Sequence, residues 1–424
     1  MGIIDREAAR AILRKNDRGG YTVPNGRVYP FQWNWDSAFV ALGFDTFDRG
    51  RAWTEIETLF QAQWEDGFLP HIVFWKDDPG YFPGPSVWGT GKNPVTSGIT
   101  QPPVAATVVR NMWESAKSAD EGEHYRQRLE ALFPKLLAWH RWFHDYRDPE
   151  RRGVVVAMHP WETGRDNSPE WDAPGESIDV SNVGDYVRRD TSHLDAKMRP
   201  TKLEYDRYLA LVQFGRSTGW DHARISADNP FQVADVGMSM ILLRANRDLA
   251  WLADDLGNSD DAAEIRSWID LAEGGIGWLW NDDVQAWCSR DLLKGRSSGF
   301  ITSASFLSFY AGLQDDRRDE AMRRHFDRIA GLVDYMVPSL DPADPGFQMV
   351  RYWRGPVWAV VNYMIGTGLS EAGDRERGEK VRGDTLALME RNGFYEAYSP
   401  IDGSGSGGDD FSWTAAIGLA WADR

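Results

Sequence analysis

Helical periodicity runs through nearly the whole chain and constrains its fold more than any other feature. In the segment 235–254, Met238, Leu242, Ala245 and Leu249 follow at steps of three or four, which places them on one face of a helix. The same spacing predicts further helices over 6–15, 36–47, 51–64, 103–118, 123–145, 203–217, 260–280, 300–313, 318–335, 356–370, 373–391 and 412–422. Strand-like alternation is rare, and its clearest instance, 153–158, is interpreted as a short hairpin arm. This pattern indicates an all-α fold.

The links between successive helices are mostly short, which favours antiparallel helical hairpins closed into a toroid. Three links are long and rich in Gly, Pro, Trp and Asp: 65–102, 159–200 and 336–355. Long connections in a compact domain are usually functional or mobile, so we expect these to gather at one end of the toroid. No Pro/Ser/Gly-rich linker divides the sequence. We therefore expect one catalytic domain over 1–424, with 65–102 and 159–200 forming a lid.

The charge balance is acidic, with a formal net charge of -17 at pH 7. Nucleic-acid binders usually carry a basic patch or stripe, and no Lys/Arg cluster of that kind occurs in the sequence. No run of 18 apolar residues is present, so we expect no membrane span. A single cysteine, Cys288, and the lack of an apolar run after a charged start favour a cytoplasmic location. Zinc and phosphate-loop motifs are missing, so we expect neither a metal nor a cofactor.

Tryptophan is unusually abundant, with 21 Trp beside 14 Tyr and 19 Phe. Many of these Trp stand in polar segments that also contain Gly, Pro and Asp, outside the apolar helical stripes. Flat aromatic faces beside polar groups suit sugar rings, whose C–H faces stack and whose hydroxyls form hydrogen bonds. For Trp in an apolar stripe, such as Trp251, core packing is the better interpretation.

The segment 29–37, YPFQWNWDS, places Asp36 among several aromatic residues at a loop-to-helix junction. Its position suits a helix N-cap, for which Asp is a preferred residue. It equally suits a sugar platform in which Trp33 or Trp35 stacks on the ring and Asp36 binds two neighbouring hydroxyls. The two roles are compatible.

The segment 159–169, HPWETGRDNSP, holds two carboxylates, Glu162 and Asp166, four residues apart and close to Trp161 and Trp171. A general acid must stay protonated near neutral pH, and low-dielectric surroundings can provide this. Asp166 is the candidate. An Asp-Asn pair also suits a plain turn, so both interpretations stay open from the residues alone.

The segment 392–400, NGFYEAYSP, places Glu396 between Tyr395 and Tyr398. Tyrosine hydroxyls could hold this carboxylate and aim it at a water molecule, although an exposed loop Glu is the commoner case. The glycines in 403–408 formally match G-x-G-x-x-G, but no strand of a βαβ unit precedes them. We interpret them as a pliable loop before the last helix.

Together these segments resemble glycoside hydrolase family 63, in particular its bacterial branch of mannosylglycerate and glucosylglycerate hydrolases. The resemblance runs from 14–17 to Trp421. Its motifs are FQWNWD at 31–36, HPWETGRDNS at 159–168, RYWRGPVW at 351–358 and FSWTAA at 411–416. It implies an (α/α)6 barrel, inversion at the anomeric carbon, and a substrate in which one hexose is joined α to D-glycerate.

The resemblance also implies roles for individual residues. Asp166 is similar to the family's general acid and Glu396 to its general base. The sugar subsite is expected to consist of Trp33, Trp35, Asp36, Gln101, Trp161, Gly164, Trp353 and Trp358. The glycerate carboxylate is expected to bind Tyr29, Tyr81, Arg199 and Tyr205, and Tyr352 in the 351–358 segment is expected to contact the substrate as well.

These implied roles are chemically consistent. The planar guanidinium of Arg199 can form two parallel hydrogen bonds with a carboxylate. A protein of net charge -17 needs such a local cation to accept an anionic substrate. The expected partner is therefore a small anionic sugar glycoside, and a homo-oligomer is compatible with the sequence.

Mannose and glucose differ at one hydroxyl, and the sequence does not separate them. A trehalase-like or oligosaccharide α-glucosidase on the same fold, and a carbohydrate-binding protein without catalysis, are the alternatives.

Overall fold

The computed structural model of the chain describes residues 4–423, and helices make up most of them. Seventeen α-helices occur in these residues: α1 (Arg6–Asn16), α2 (Asn34–Asp45), α3 (Arg49–Leu59), α4 (Pro85–Trp88), α5 (Ala105–Ser118), α6 (Gly122–Tyr146), α7 (Asp172–Gly175), α8 (Asp190–His193), α9 (Lys202–Ser217), α10 (His222–Asp228), α11 (Val236–Leu256), α12 (Ser259–Gly275), α13 (Leu307–Ala311), α14 (Asp316–Ala330), α15 (Ala359–Glu371), α16 (Arg375–Asn392) and α17 (Ser412–Ile417).

Six helices form a closed inner ring. Helix α2 packs on α5, α5 on α11, α11 on α13, α13 on α15, α15 on α17, and α17 returns to α2. An outer layer covers the ring: α3, α6, α12 and α16 pack against the inner helices that precede them, and α1 packs against α17. Helix α14 supplies the remaining outer position, where Phe326 packs edge-on against Phe306 just before α13. The predicted (α/α)6 barrel is confirmed.

The two layers differ in how their apolar residues are distributed. Helix α2 is buried along nearly its whole length, because ring neighbours lie on both sides of it and α3 lies behind it. Outer helices are amphipathic instead. Helix α14 is rich in Arg and Asp but buries Ala321, Met322, Phe326 and Ile329, which recur at helical spacing on one face. Within residues 4–423, no helix is long and apolar enough to cross a membrane.

Short antiparallel strands connect the loops that lie at one end of the barrel. In the described part of the chain β1 (Gln32–Trp33) pairs with β2 (Ile72–Val73), β5 (Trp280–Asn281) with β6 (Ala286–Trp287), and β9 (Ala397–Tyr398) with β10 (Gly405–Ser406). A four-stranded sheet has the order β3 (Val156–Ala157), β4 (Val233–Ala234), β7 (Arg290–Asp291), β8 (Arg296–Ser297). The segment 153–158, interpreted above as a hairpin arm, contains β3. Its partner is β4, more than 70 residues along the chain, so it is not an arm of a local hairpin.

The three long links contact one another at the end where the inner helices begin. In 65–102, Asp78 accepts a hydrogen bond of 2.7 Å from Arg189 in 159–200. Phe82 stacks on Tyr186, with ring centroids 5.2 Å apart. The third link, 336–355, reaches 159–200 through Arg354, which pairs with Asp172. The loops therefore form one connected rim.

Close approach of α2 and α17 requires a residue without a side chain. A Cβ atom added at Gly43 would lie 2.6 Å from the Cα atom of Ala416, and both backbones belong to regular helices. We expect Gly43→Ala to destabilise the protein by ~1–3 kcal/mol, because overpacking forces the two helices apart. Differential scanning calorimetry should show a lower Tm.

Gly383 offers the matched control, since it lies inside α16 with no atom within 4 Å of the added Cβ. Gly383→Ala should be neutral or stabilise by up to ~1 kcal/mol, because Ala has the higher helix propensity. An unchanged Tm for Gly43→Ala would contradict the close packing of the ring.

Candidate active site

A cavity of about 800 Å³, counting its open mouth, lies at the rim of the barrel. Its wall brings together residues from segments far apart in the sequence. Thirteen of the fifteen predicted site residues line it: Tyr29, Trp33, Trp35, Asp36, Tyr81, Gln101, Trp161, Gly164, Asp166, Arg199, Tyr205, Tyr352 and Glu396.

The other two predicted residues, Trp353 and Trp358, lie behind this wall. Their rings stack on each other, with centroids 4.1 Å apart and an interplanar angle of 2°. Trp353 contacts the ring of Trp35 and Trp358 contacts that of Trp413, both of which reach the cavity. In this structure the pair supports the aromatic wall from outside.

Trp35 and Asp36 lie in the first turn of α2, where β1 leads into the helix. The backbone N–H of Trp35 donates to the side-chain oxygen of Gln101 at 3.2 Å, which ties α2 to the link before α5. Gly164 packs against the Trp35 ring so closely that a Cβ atom would lie 2.6 Å from it. Its φ of +68° is also a value that side chains rarely adopt. Both observations explain why a glycine occupies this position.

Anchors on both sides hold the backbone of Asp166. Before it, the buried Arg165 pairs with Glu170 and with Asp235, the N-cap of α11. After it, Asn167 accepts a 2.9 Å hydrogen bond from the backbone N–H of Trp353. The hydroxyl of Tyr208 donates to the carbonyl of Asp166 itself at 2.7 Å. The Asp166 side chain is therefore presented from a rigid turn.

The electrostatic surroundings of Asp166 favour its neutral form. Burial raises the pKa of Asp166 to about 8; the charge of Arg199 lowers it, and the negative charge of Glu396 raises it. Burial likewise raises the pKa of Asp36 well above its ordinary value, with Glu396 again contributing. Because the carboxyl groups influence one another, they share one low-dielectric site.

Glu396 is 1% exposed and is held through both carboxylate oxygens. Oε1 accepts hydrogen bonds from the Tyr29 hydroxyl at 2.8 Å and from Nη1 of Arg199 at 3.3 Å. Oε2 accepts one from the backbone N–H of Gly408 at 3.2 Å. Gly407 has a φ of +76°, and an added Cβ would collide with Oε2. The glycine-rich segment that we interpreted as a pliable loop thus contacts Glu396 directly.

Arg199 lies beside a cluster of tyrosines in the cavity wall. Its guanidinium carbon is 4.0 Å from the ring centroid of Tyr352 and 5.7 Å from that of Tyr29. Nε donates to Asp190 at 2.9 Å. A cation backed by aromatic faces and hydroxyls is a suitable receptor for a carboxylate.

Sequence reasoning did not single out several residues of this wall. Asp190 and Arg189 are charged and come from the 159–200 link, and His71 comes from the 65–102 link. Phe411 and Trp413 stood in a motif that carried the resemblance, but no role was inferred for them. For Asp190 and Arg189 the only signal was an Arg-Arg-Asp run, which is common on exposed loops.

This arrangement can perform acid–base chemistry. One carboxyl group keeps its proton up to about pH 8, and a second carboxylate is held in place across the same cavity. Two carboxyl groups of this kind, surrounded by aromatic rings, are typical of enzymes that hydrolyse glycosidic bonds.

Comparison with known proteins agrees with the chemistry of the site. Residues 29–414 match the mannosylglycerate hydrolase MGH1-like glycoside hydrolase domain. The chain is 47% identical over 416 residues to mannosylglycerate hydrolase MGH1 of Selaginella moellendorffii, covering 98% of this chain and 85% of that protein. It is 35% identical over 434 residues to glucosylglycerate hydrolase of Mycolicibacterium hassiacum, covering 98% and 97%.

Solved structures give the same result. The crystal structure of the family 63 mannosylglycerate hydrolase from Thermus thermophilus, in complex with Tris and D-glycerate, matches with a TM-score of 0.94 and 46% identity over 98% of this chain and 99% of that one. Neutral trehalase from Saccharomyces cerevisiae matches with a TM-score of 0.58 and 14% identity over 94% and 72%, which shows a shared fold alone. The chain is therefore a glycoside hydrolase and belongs to the mannosylglycerate hydrolase MGH1-like branch of glycoside hydrolase family 63.

Proposed function

We propose that this enzyme hydrolyses an α-linked hexosyl-D-glycerate, releasing hexose and D-glycerate with inversion at the anomeric carbon. The observation that carries the proposal is the pairing of Asp166 and Glu396 in one cavity with a buried Arg199 beside them. The relatives named above act on mannosylglycerate or glucosylglycerate, as their names state. We propose mannosylglycerate, glucosylglycerate or both as the substrate.

The arrangement of the wall supports a division of the cavity into two subsites. Trp33, Trp35, Asp36, Gln101 and Trp161 offer aromatic faces and polar groups to the hexose. Tyr29, Tyr81, Arg199, Tyr205 and Tyr352 surround the position of the glycerate. The cation in this second group favours an anionic leaving group over a neutral sugar such as the glucose that trehalase releases.

The proposed reaction takes place in one step. Asp166 donates its proton to the glycosidic oxygen as the bond from that oxygen to the anomeric carbon breaks. Glu396 accepts a proton from a water molecule, whose oxygen attacks the anomeric carbon from the opposite face. The hydrogen bonds from Tyr29 and Gly408 orient the Glu396 carboxylate for that task.

We further propose that the whole chain is one catalytic domain and that 65–102 and 159–200 act as its lid. The contacts of Asp78 with Arg189 and of Phe82 with Tyr186 support this, because they join the two links beside the cavity, which Arg189 and Phe82 line. Closure of such a lid excludes water from the reacting bond and completes the glycerate subsite.

The stereochemical course tests the mechanism. We expect NMR to show the β-hexose as the first product of either α-glycoside, before mutarotation, because water attacks the face opposite to the leaving group. Asp166→Asn and Glu396→Gln should each lower kcat by roughly 10²–10⁴-fold. Initial release of the α-hexose would contradict an inverting mechanism.

The pH profile tests the role of Asp166. Activity requires this carboxyl group to be protonated, so kcat/KM should be lost as pH rises through about 8, the raised pKa of Asp166. In Glu396→Gln, ¹³C NMR should show a lower pKa for Asp166, because a neighbouring negative charge has been removed. A basic limb that begins below pH 6 would show that Asp166 is not the acid.

The matched substrates hexosylglycerate and hexosylglycerol test the role of Arg199, since they differ only in the carboxylate. Arg199→Gln should raise KM for hexosylglycerate by roughly 10–100-fold, because a charged hydrogen bond contributes ~1.5–3 kcal/mol. KM for hexosylglycerol should change little. An equal effect on both substrates, or better hydrolysis of trehalose by the wild-type enzyme, would favour the trehalase-like alternative.

A further inference from the structure

Asp190 is an acidic residue in the wall of the glycerate subsite, where a negative charge would by itself repel an anionic substrate. Its side chain is 11% exposed and follows two arginines in the sequence. Neither the expected family roles nor the proposed mechanism uses it. Its presence in this position therefore requires a separate explanation.

Both carboxylate oxygens of Asp190 are occupied by donors from the protein. Oδ2 accepts hydrogen bonds from Nε of Arg199 at 2.9 Å and from Nη2 of Arg188 at 2.6 Å. Oδ1 accepts from Nε of Arg188 at 3.0 Å and from the backbone N–H of Thr191 at 2.9 Å. Arg188 is fixed in turn by donating to the carbonyl of Pro200 at 2.6 Å. Asp190 is thus the centre of a network that joins two buried cations.

The same network occupies two of the three side-chain nitrogens of Arg199. Nε is bonded to Asp190 and Nη1 to Glu396, 3.3 Å away. Within residues 4–423, Nη2 of Arg199 forms no hydrogen bond, and the residue lines the cavity. Without Asp190, Glu396 would be the sole carboxylate paired with this guanidinium, and a two-pronged pair between them would occupy the face that a substrate needs.

We infer that Asp190 is a positioning residue, which holds Arg199 through Nε and leaves Nη2 available to the carboxylate of the substrate. This inference rests on the proposed function, because it assumes that the ligand beside Arg199 is D-glycerate. Burial would raise the pKa of Asp190, but Arg199 and Arg188 outweigh it and lower the pKa to about 2. The network therefore stays ionised across the neutral range.

Arg188 extends the effect of Asp190 to Tyr205. Its guanidinium carbon lies 4.2 Å from the ring centroid of Tyr205, another residue expected to contact the glycerate. Fixing Arg188 through Asp190 thus also fixes a flat face beside this aromatic ring. The carboxylate of Asp190 thus positions both Arg199 and Arg188 in the glycerate subsite.

The test exploits two effects of opposite sign. Removing a negative charge beside an anion site should strengthen anion binding by simple electrostatics, whereas losing the support of Arg199 should weaken it. We expect Asp190→Asn to weaken the binding of D-glycerate, measured by isothermal titration calorimetry, by about tenfold or more. Binding of the free hexose should change less than twofold. Equal or tighter binding of D-glycerate would overturn the inference.

Asp185 provides the matched control, since it is exposed on the same link and its replacement removes the same charge. Asp185→Asn should leave D-glycerate binding within about twofold of wild type, because surface charges are screened. In an Arg199→Gln background, Asp190→Asn should have a clearly smaller effect than in the wild type, because the part that acts through Arg199 is already lost and only the support of Arg188 remains. A full, additive loss in that background would also overturn the inference.

Two further outcomes separate this inference from the proposed function. If wild-type enzyme binds no D-glycerate, the proposed function fails first. If wild type binds it and Asp190→Asn binds it equally well, only the role of Asp190 fails. Should Asp190→Asn not fold, Asp190→Glu keeps the charge but displaces the carboxylate by one methylene, and it should weaken D-glycerate binding in the same direction.

Discussion

Closing six helices into one ring requires each inner helix to be covered by two ring neighbours and by an outer helix. This requirement explains why α2 and α15 are buried along nearly their whole length, whereas α14 has one apolar face. It also places small residues at the contacts, such as Gly43 against Ala416. The site depends on this closure, because the inner helices are parallel and therefore all begin at the same end of the barrel.

Convergence of those starting points creates the electrostatic character of the site. Residues in or just before the first turns of inner helices supply Trp35, Asp36, Gln101, Trp358 and Trp413. The N-terminus of a helix carries a partial positive charge, which favours nearby carboxylates. The carboxyl groups nevertheless differ: burial raises the pKa of Asp166 to about 8, while two arginines lower that of Asp190 to about 2. Different surroundings thus shift the pKa of chemically identical groups in opposite directions.

The sequence predicted the helices well because periodicity reports burial directly, and the inner and outer helices fall close to their expected bounds. It placed the starts of α13 and α15 too early. Residues 303–306 form a 3₁₀ turn, and Val357 bridges to Tyr398 before α15 begins. It also missed the short α10. Such features depend on tertiary contacts that no local pattern reveals.

The site was predicted less completely than the fold. Aromatic residues beside Asp36 and Glu396 in the sequence indicated that these two carboxylates belong to the site. Asp190 gave no specific signal, because its contact with Arg199, nine residues away in an irregular link, cannot be read from the local sequence. The stacked pair of Trp353 and Trp358 was expected at the sugar but lies one layer further out. A sequence motif predicts which residues lie near the site, whereas the packing of the fold decides which of them line the cavity.

The contact between α2 and α17 has a consequence for biosynthesis. These helices are separated by more than 360 residues, yet each is a neighbour of the other in the ring. Translation produces α2 long before α17, so in the nascent polypeptide the apolar flank of α2 lacks this neighbour while the intervening residues are synthesised. Five of the six inner helices can assemble beforehand, but the ring closes, and Glu396 just ahead of α17 reaches the cavity, only after α17 has been made.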